Sequence, residues 1–195
     1  VQLIMIDSQW YLEDWNANPD INEYCEIKTR EKFLIELELE FEKNQNKTIL
    51  FTMHHPMFTN GTHGGYFALE KHLYITQKKI PLPVLSSLVT QIRAQGGVSI
   101  QDRYNERYNN FMVKLGSLAK KYGRIVFASG HEHTLQHHEK DGLIQILSGS
   151  GSKESAASLG KDALFTTGAQ GFAIMTVFKD GSSWVRYFIK GENNK

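Results

Sequence analysis

Cys25 is the chain's only cysteine, so an internal disulfide is excluded and the redox compartment is left open. Excess charge of either sign is also missing: 22 basic residues face 21 acidic ones, for a formal net charge of +1. A balance that even gives no net field to draw nucleic acid or an anionic membrane surface. No apolar run approaches the roughly 18 residues needed to span a bilayer, and no signal-like segment is visible. Several reaction classes are missing their motifs. The Gly-rich stretch 60–66 lacks the Lys-Ser/Thr of a phosphate-cradling loop, and Gly149-Ser150-Gly151-Ser152 lacks the third glycine of a dinucleotide fingerprint. Gly149-Ser150-Gly151 is too short for a nucleophile elbow, so serine hydrolase chemistry has no support.

What remains is an ordinary α/β pattern. A chain of 195 residues is one domain or a large part of one, and buries roughly 70% of its unfolded surface. It opens at Val1, already inside the apolar run 1–6, which suggests a piece of something longer. Apolar runs at 3–6, 47–53 and 124–129 read as buried strands. Residues 9–21, with a Pro19-Asp20 turn signal, read as an ordered loop. In 27–43 the Glu-Leu alternation of 36–42 says strand, while Phe33, Leu37 and Phe41 fall at i, i+4 and i+8. The good helix formers and the length favour helix, with Thr29 as cap and Asn44 as stop. Further helices are expected at 82–94, ended by Gly96-Gly97, and at 104–122, ended by Gly123, with residues 98–102 as a loop between them. Asp-Gly at 141–142 and at 180–181 marks two hairpins, so the last third is antiparallel sheet.

The chemistry collects at strand ends. The run 124–129 delivers Gly130-His131-Glu132-His133, and 47–53 delivers His54-His55-Pro56. In open α/β sheets ligands bind beyond the carboxyl ends of strands. In extended or turn backbone, residues i and i+2 point the same way, so His131 and His133 can converge. With His54 they make three imidazoles able to crown one sheet edge, a donor set that suits Zn, Fe or Mn. Three nitrogens alone do not identify an ion. His72, His137 and His138 are assigned to the surface.

Ile6-Asp7-Ser8-Gln9, His54-His55-Pro56 and Gly130-His131-Glu132-His133 together resemble the C-terminal motifs of the calcineurin-like metallophosphoesterases. That group includes purple acid phosphatases and cyclic-nucleotide phosphodiesterases. The resemblance implies an α/β fold, the C-terminal part of a four-layer α/β/β/α sandwich with mixed sheets and flanking helices. It implies that residues 1–195 form the C-terminal half of one such domain. It also implies phosphate mono- or diester hydrolysis by two divalent or trivalent ions of the Fe, Mn or Zn class, on a phosphorylated small molecule or a phosphoprotein. His54 and His131 would match ligands of one metal and His133 of the other. His55 and His63 are candidates for substrate contact, each set against an ordinary loop histidine, and Asp7 is expected to make structural hydrogen bonds.

The departure from that pattern is large. The sequence has no Asp-x-His, no Gly-Asp and no Gly-Asn, so the family's bridging aspartate and asparagine ligands are missing. A two-metal mechanism needs such a carboxylate to hold the ions about 3.5–4 Å apart. The alternative reading is therefore a catalytically inactive binding or structural module that keeps the fold. Exposed strand edges are expected to favour a homodimer.

Overall fold

The computed structural model describes residues 1–74, 80–96, 99–160 and 162–191. Its strands are β1 (Gln2–Met5), β2 (Ile49–Met53), β3 (Ile125–Ser129), β4 (Leu135–Lys140), β5 (Leu143–Ser148), β6 (Ala163–Thr167), β7 (Gly171–Val177) and β8 (Ser183–Ile189). Its helices are α1 (Ser8–Leu12), α2 (Arg30–Lys43), α3 (Leu69–Leu73), α4 (Pro83–Gly96) and α5 (Glu106–Tyr122). Six strands form one mixed sheet in the order β1-β2-β3-β5-β4-β6, with β1, β2, β3 and β5 parallel and β4 and β6 antiparallel. The hairpin β7–β8 is a second, two-stranded sheet.

Side-chain alternation decides which face of the large sheet is covered. Ile49, Phe51 and Met53 of β2 point into the core, joined by Ile125 and Phe127 of β3. Leu37 and Phe41 of α2 and Phe111, Leu115 and Ala119 of α5 close that face. On the other face the hairpin packs against β4 and β5. It is tied there by Tyr187, whose hydroxyl donates to the Gln136 carbonyl at 2.9 Å, and by the Ala173 amide, which donates to Ser148 Oγ at 3.0 Å. It does not reach β1, where Leu3 and Met5 are 52% and 72% exposed at a free sheet edge. The expected arrangement, a mixed sheet with flanking helices and a second sheet, is the one found.

The ambiguous segment 36–42 is helix. Leu37 and Phe41, four apart, are buried, whereas Ile35 and Leu39 are more than half exposed. The helical period won because only it matches an apolar partner, α5, along the whole segment. Thr29 caps α2 by accepting the Lys32 amide at 3.0 Å, and Asn44 ends it. Gly123, at φ 61°, ends α5 in a left-handed conformation that favours glycine. Asp141 and Gly142 both have positive φ (53° and 78°), as a two-residue β4–β5 hairpin requires.

Four elements escape the sequence reading. The expected loop 9–21 contains most of α1 and the start of a 3-10 turn, Pro19–Asn22. Helix α3 and strand β6 were not foreseen. Both are five residues long, too short for periodicity to register. The expected helix stop at Gly97 and loop start at Val98 lie outside the described residues. Among those residues no helix is long and apolar enough to cross a membrane.

Candidate functional site

Strands β1, β2 and β3 run parallel and finish level with one another, so the segments leaving them meet at one rim. Met53 and Ser129 are register partners. His54 and Gly130 therefore follow side by side, and the Gly130 amide donates to the His54 carbonyl at 3.2 Å. From β1 the chain turns through Asp7, whose Oδ1 accepts the Trp10 amide at 3.0 Å and caps α1. That is the structural hydrogen bond expected of it. Ser8, the first residue of α1, is fully buried against His55.

His54 and His131 meet: His54 Nε2 and His131 Nδ1 are 3.1 Å apart. His131 Nε2 lies 2.9 Å from the Gln101 carbonyl, which can only accept, so that nitrogen carries the proton. Neutral His131 then presents its Nδ1 lone pair, and the shared proton comes from His54 Nε2. Burial holds the His131 ring neutral, with its pKa lowered to about 3, and neighbouring imidazoles lower it further. His131 also adopts φ 67°, a left-handed conformation that costs a β-carbon residue of order 1 kcal/mol and tends to persist where a site needs it.

His55, expected as a substrate-contact candidate, is 0% exposed. Its Nδ1 is 2.9 Å from Ser8 Oγ and its Nε2 is 2.8 Å from Gln101 Oε1. The tautomer is set from a distance. Glu13 accepts from the Gln9 amide at 2.8 Å, which turns Gln9 Oε1 toward the Gln101 amide at 2.9 Å. Gln101 Oε1 is thereby left facing His55, so Nε2 donates and Nδ1 accepts from Ser8. Burial lowers the His55 pKa to about 4. Both ring nitrogens of His55 are hydrogen-bonded and the ring is buried, so in this structure it braces the rim from below.

His63, the other expected contact residue, is half-buried, with its ring centroid 4.3 Å from that of His131. Asp102 Oδ1 accepts from His63 Nδ1 at 3.1 Å and from Arg93 at 2.7 Å. Burial alone would raise the Asp102 pKa. The bonds from His63 and Arg93 outweigh it and hold the carboxyl at about 2.

The expected set His54, His131 and His133 is not the compact one. The ring nitrogens that lie within 4.8 Å of one another belong to His54, His55 and His131, a group that could hold a metal ion. His133 stands outside that trio, although it is near enough for its charge to depress the His54 pKa, after burial and the opposing effect of Asp7. His131 turns left-handed at φ 67°, so the backbone into His133 is not the extended one in which residues i and i+2 share a face.

A fit test favours one ion between two rings. Nitrogens bound to a tetrahedral zinc at 2.0–2.1 Å sit about 3.3 Å apart, and His54 and His131 already stand near that spacing. The bond from His131 Nε2 to a backbone carbonyl is the outer-shell contact that fixes a ligating imidazole. No carboxylate joins the cluster among the described residues.

Glu132, between the two motif histidines, was missed. It is 2% exposed, and its Oε1 accepts the His63 amide at 2.7 Å, Thr59 Oγ1 at 3.2 Å and the Gly64 amide at 3.3 Å. A β-carbon at Gly61 would come within 2.5 Å of the carboxyl, so a larger residue there would have to displace the Glu132 carboxylate. Burial raises the Glu132 pKa, and the His63 charge and these donors oppose the rise. The available signal was its place between the histidines, where a carboxylate must find interior donors. Gln101 carried no local signal; it reaches the site from 46 residues beyond His55.

A mixed α/β sandwich whose parallel strand ends carry a partly buried imidazole cluster is the class that this geometry defines. No family model matches the chain, and no curated protein matches it. This corrects the expectation that the chain belongs to the calcineurin-like metallophosphoesterases: its short motifs match, but no family-length pattern does. Among solved structures the chain is similar to GAP50, the anchor in the inner membrane complex of Plasmodium, at 19% identity and a TM-score of 0.52. The likeness covers 98% of this chain and 50% of that one, so the chain spans about half the length of its structural neighbour. At that identity the likeness concerns the fold alone.

Proposed function

We propose that this chain is a non-catalytic binding or structural module that keeps an α/β sandwich and one cation site between His54 and His131. One observation carries the reading: the imidazoles converge, but among the described residues no carboxylate joins them to bridge two ions. Asp7 caps α1, Asp102 is held by Arg93 and His63, and Glu132 is buried among amides. Metal-assisted phosphoester hydrolysis in the two-ion form needs that bridge and the hydroxide it holds. A single ion on neutral nitrogens would link the β2 and β3 loops and stiffen the rim. The structural neighbour, similar in fold alone, is described as an anchor, which points the same way.

The test is metal content and turnover of the purified chain. One equivalent of zinc or a similar ion, lost in His131→Ala and kept in His133→Ala, is the expected result, with no hydrolysis of a nitrophenyl phosphate. Turnover abolished by His131→Ala would overturn the reading and restore the hydrolase.

A further inference from the structure

The loop that closes over Glu132 also lines a second cavity of about 290 Å³, which contains none of the rim histidines. Phe58, Tyr66 and Tyr104 give it three aromatic walls, and the two tyrosines are 38% and 49% exposed. Its charged groups are Arg103, Lys140 and Asp162. Lys140 Nζ lies 2.6 Å from Asp162 Oδ2, so that pair cancels. Arg103 is left in excess.

Arg103 is held without being neutralised. Its Nε donates to the Met57 carbonyl at 2.7 Å and its Nη1 to Asn109 Oδ1 at 2.8 Å. Among the described residues no carboxylate pairs with it. The charges that it feels are those of Tyr108 and Tyr104, and burial lowers its pKa. An inward guanidinium is costly unless an anion meets it, and the planar fork is the donor best shaped for a carboxylate or phosphonate. The third nitrogen, Nη2, makes no bond to a described residue.

We propose that this cavity binds a small aromatic acid, one ring bearing one anionic group, with Arg103 on the anion and Tyr66 and Tyr104 beside the ring. The volume lies at the lower end of small-molecule sites, which limits the occupant to about one ring and its acid. Rings stack or meet edge-on with Tyr and Phe, so the aromatic part is read by the walls and the charge by the guanidinium. The lone imidazole in the lining, His138, is 1% exposed and spends Nε2 on Gln136 Oε1 at 2.7 Å, so Arg103 is the anion's main partner. This site stands independently of the metal reading.

Titration of the full chain with benzoate and with phenylphosphonate, followed by calorimetry and by the NMR signals of Tyr66 and Tyr104, tests the proposal. Saturable binding with a Kd of about 1 mM or tighter is expected, with benzyl alcohol binding at least about tenfold more weakly. Arg103→Lys should weaken benzoate about tenfold, since an ammonium cannot make the bidentate contact. Arg103 also supports the Met57 carbonyl, so Tyr104→Ala, on an exposed side chain, provides the second variant; about fivefold weakening with unchanged circular dichroism is expected. Absence of saturation in wild type, equal affinity for benzyl alcohol, or full affinity in both variants would overturn it.

Discussion

Two buried imidazole networks lie in this molecule, and they differ in kind. His55 and His131 at the rim and His138 in β4 are all kept neutral by burial, with pKa values lowered to about 4, about 3 and about 4. Desolvation therefore distinguishes none of them. The difference is what each ring faces. His138 donates to one amide oxygen inside the sheet and meets no second imidazole nitrogen within bonding distance. His131 faces His54 across 3.1 Å, with the rings of His55 and His63 tilted against it. A depressed pKa marks a buried histidine; two imidazole nitrogens facing each other across one proton mark a site.

The largest effect that would break this comparison comes from Glu132, the rim's internal anchor. Glu132→Ala strips acceptors from two amides and a hydroxyl in a closed pocket, each worth about 1–3 kcal/mol when orphaned. Destabilisation of roughly 3–5 kcal/mol is expected, seen as a fall in Tm of about 10 °C, together with loss of metal binding. Gln136→Ala, which removes the acceptor of His138 and of the Asn60 amide, should destabilise but leave metal binding intact.

Acid titration gives the next largest effect. The folded pKa values of His55, His131 and His138 are depressed below the unfolded 6.5, so the unfolded chain binds more protons between 6.5 and about 4. Stability is then present above 6.5 and lost as pH falls toward 4, by up to about 1.4 kcal/mol per pH unit per group. Urea midpoints measured from pH 7 to 4.5 should fall steeply. His138→Gln should flatten the slope by one group's share, and an unchanged slope would show that His138 is not neutral by burial.

The smallest effect sharpens the rim itself. Asp7 raises the His54 pKa, while burial, His63 and His133 lower it. Asp7→Asn keeps an N-cap and removes the charge, so the NMR-observed His54 pKa should drop, with His138 unmoved.

The histidine rim was legible because strand ends are local: an apolar β-branched run followed by His can be read from neighbours in the chain. The partners that set each tautomer were not legible. Gln101 and Glu13 act on His55 from more than 40 residues away, through the Gln9 and Gln101 amides, and glutamine carries no motif. His138, assigned to the surface, is buried because β6 covers β4, and a five-residue edge strand has too little periodicity to announce itself. His55 was expected as a contact residue and is found buried, since α1, read as loop, brings Ser8 to its ring.

Sequence alone determined the alternation of strands and helices, the two Asp-Gly hairpins and the delivery of His54 and His131 to strand ends, because those depend on contacts a few residues long. Tertiary structure decided which imidazoles meet, which are sealed in the interior and which protons they carry. Those outcomes depend on strand order, on a left-handed turn at His131 and on polar partners far along the chain, and burial acts on a ring only after the fold has closed around it.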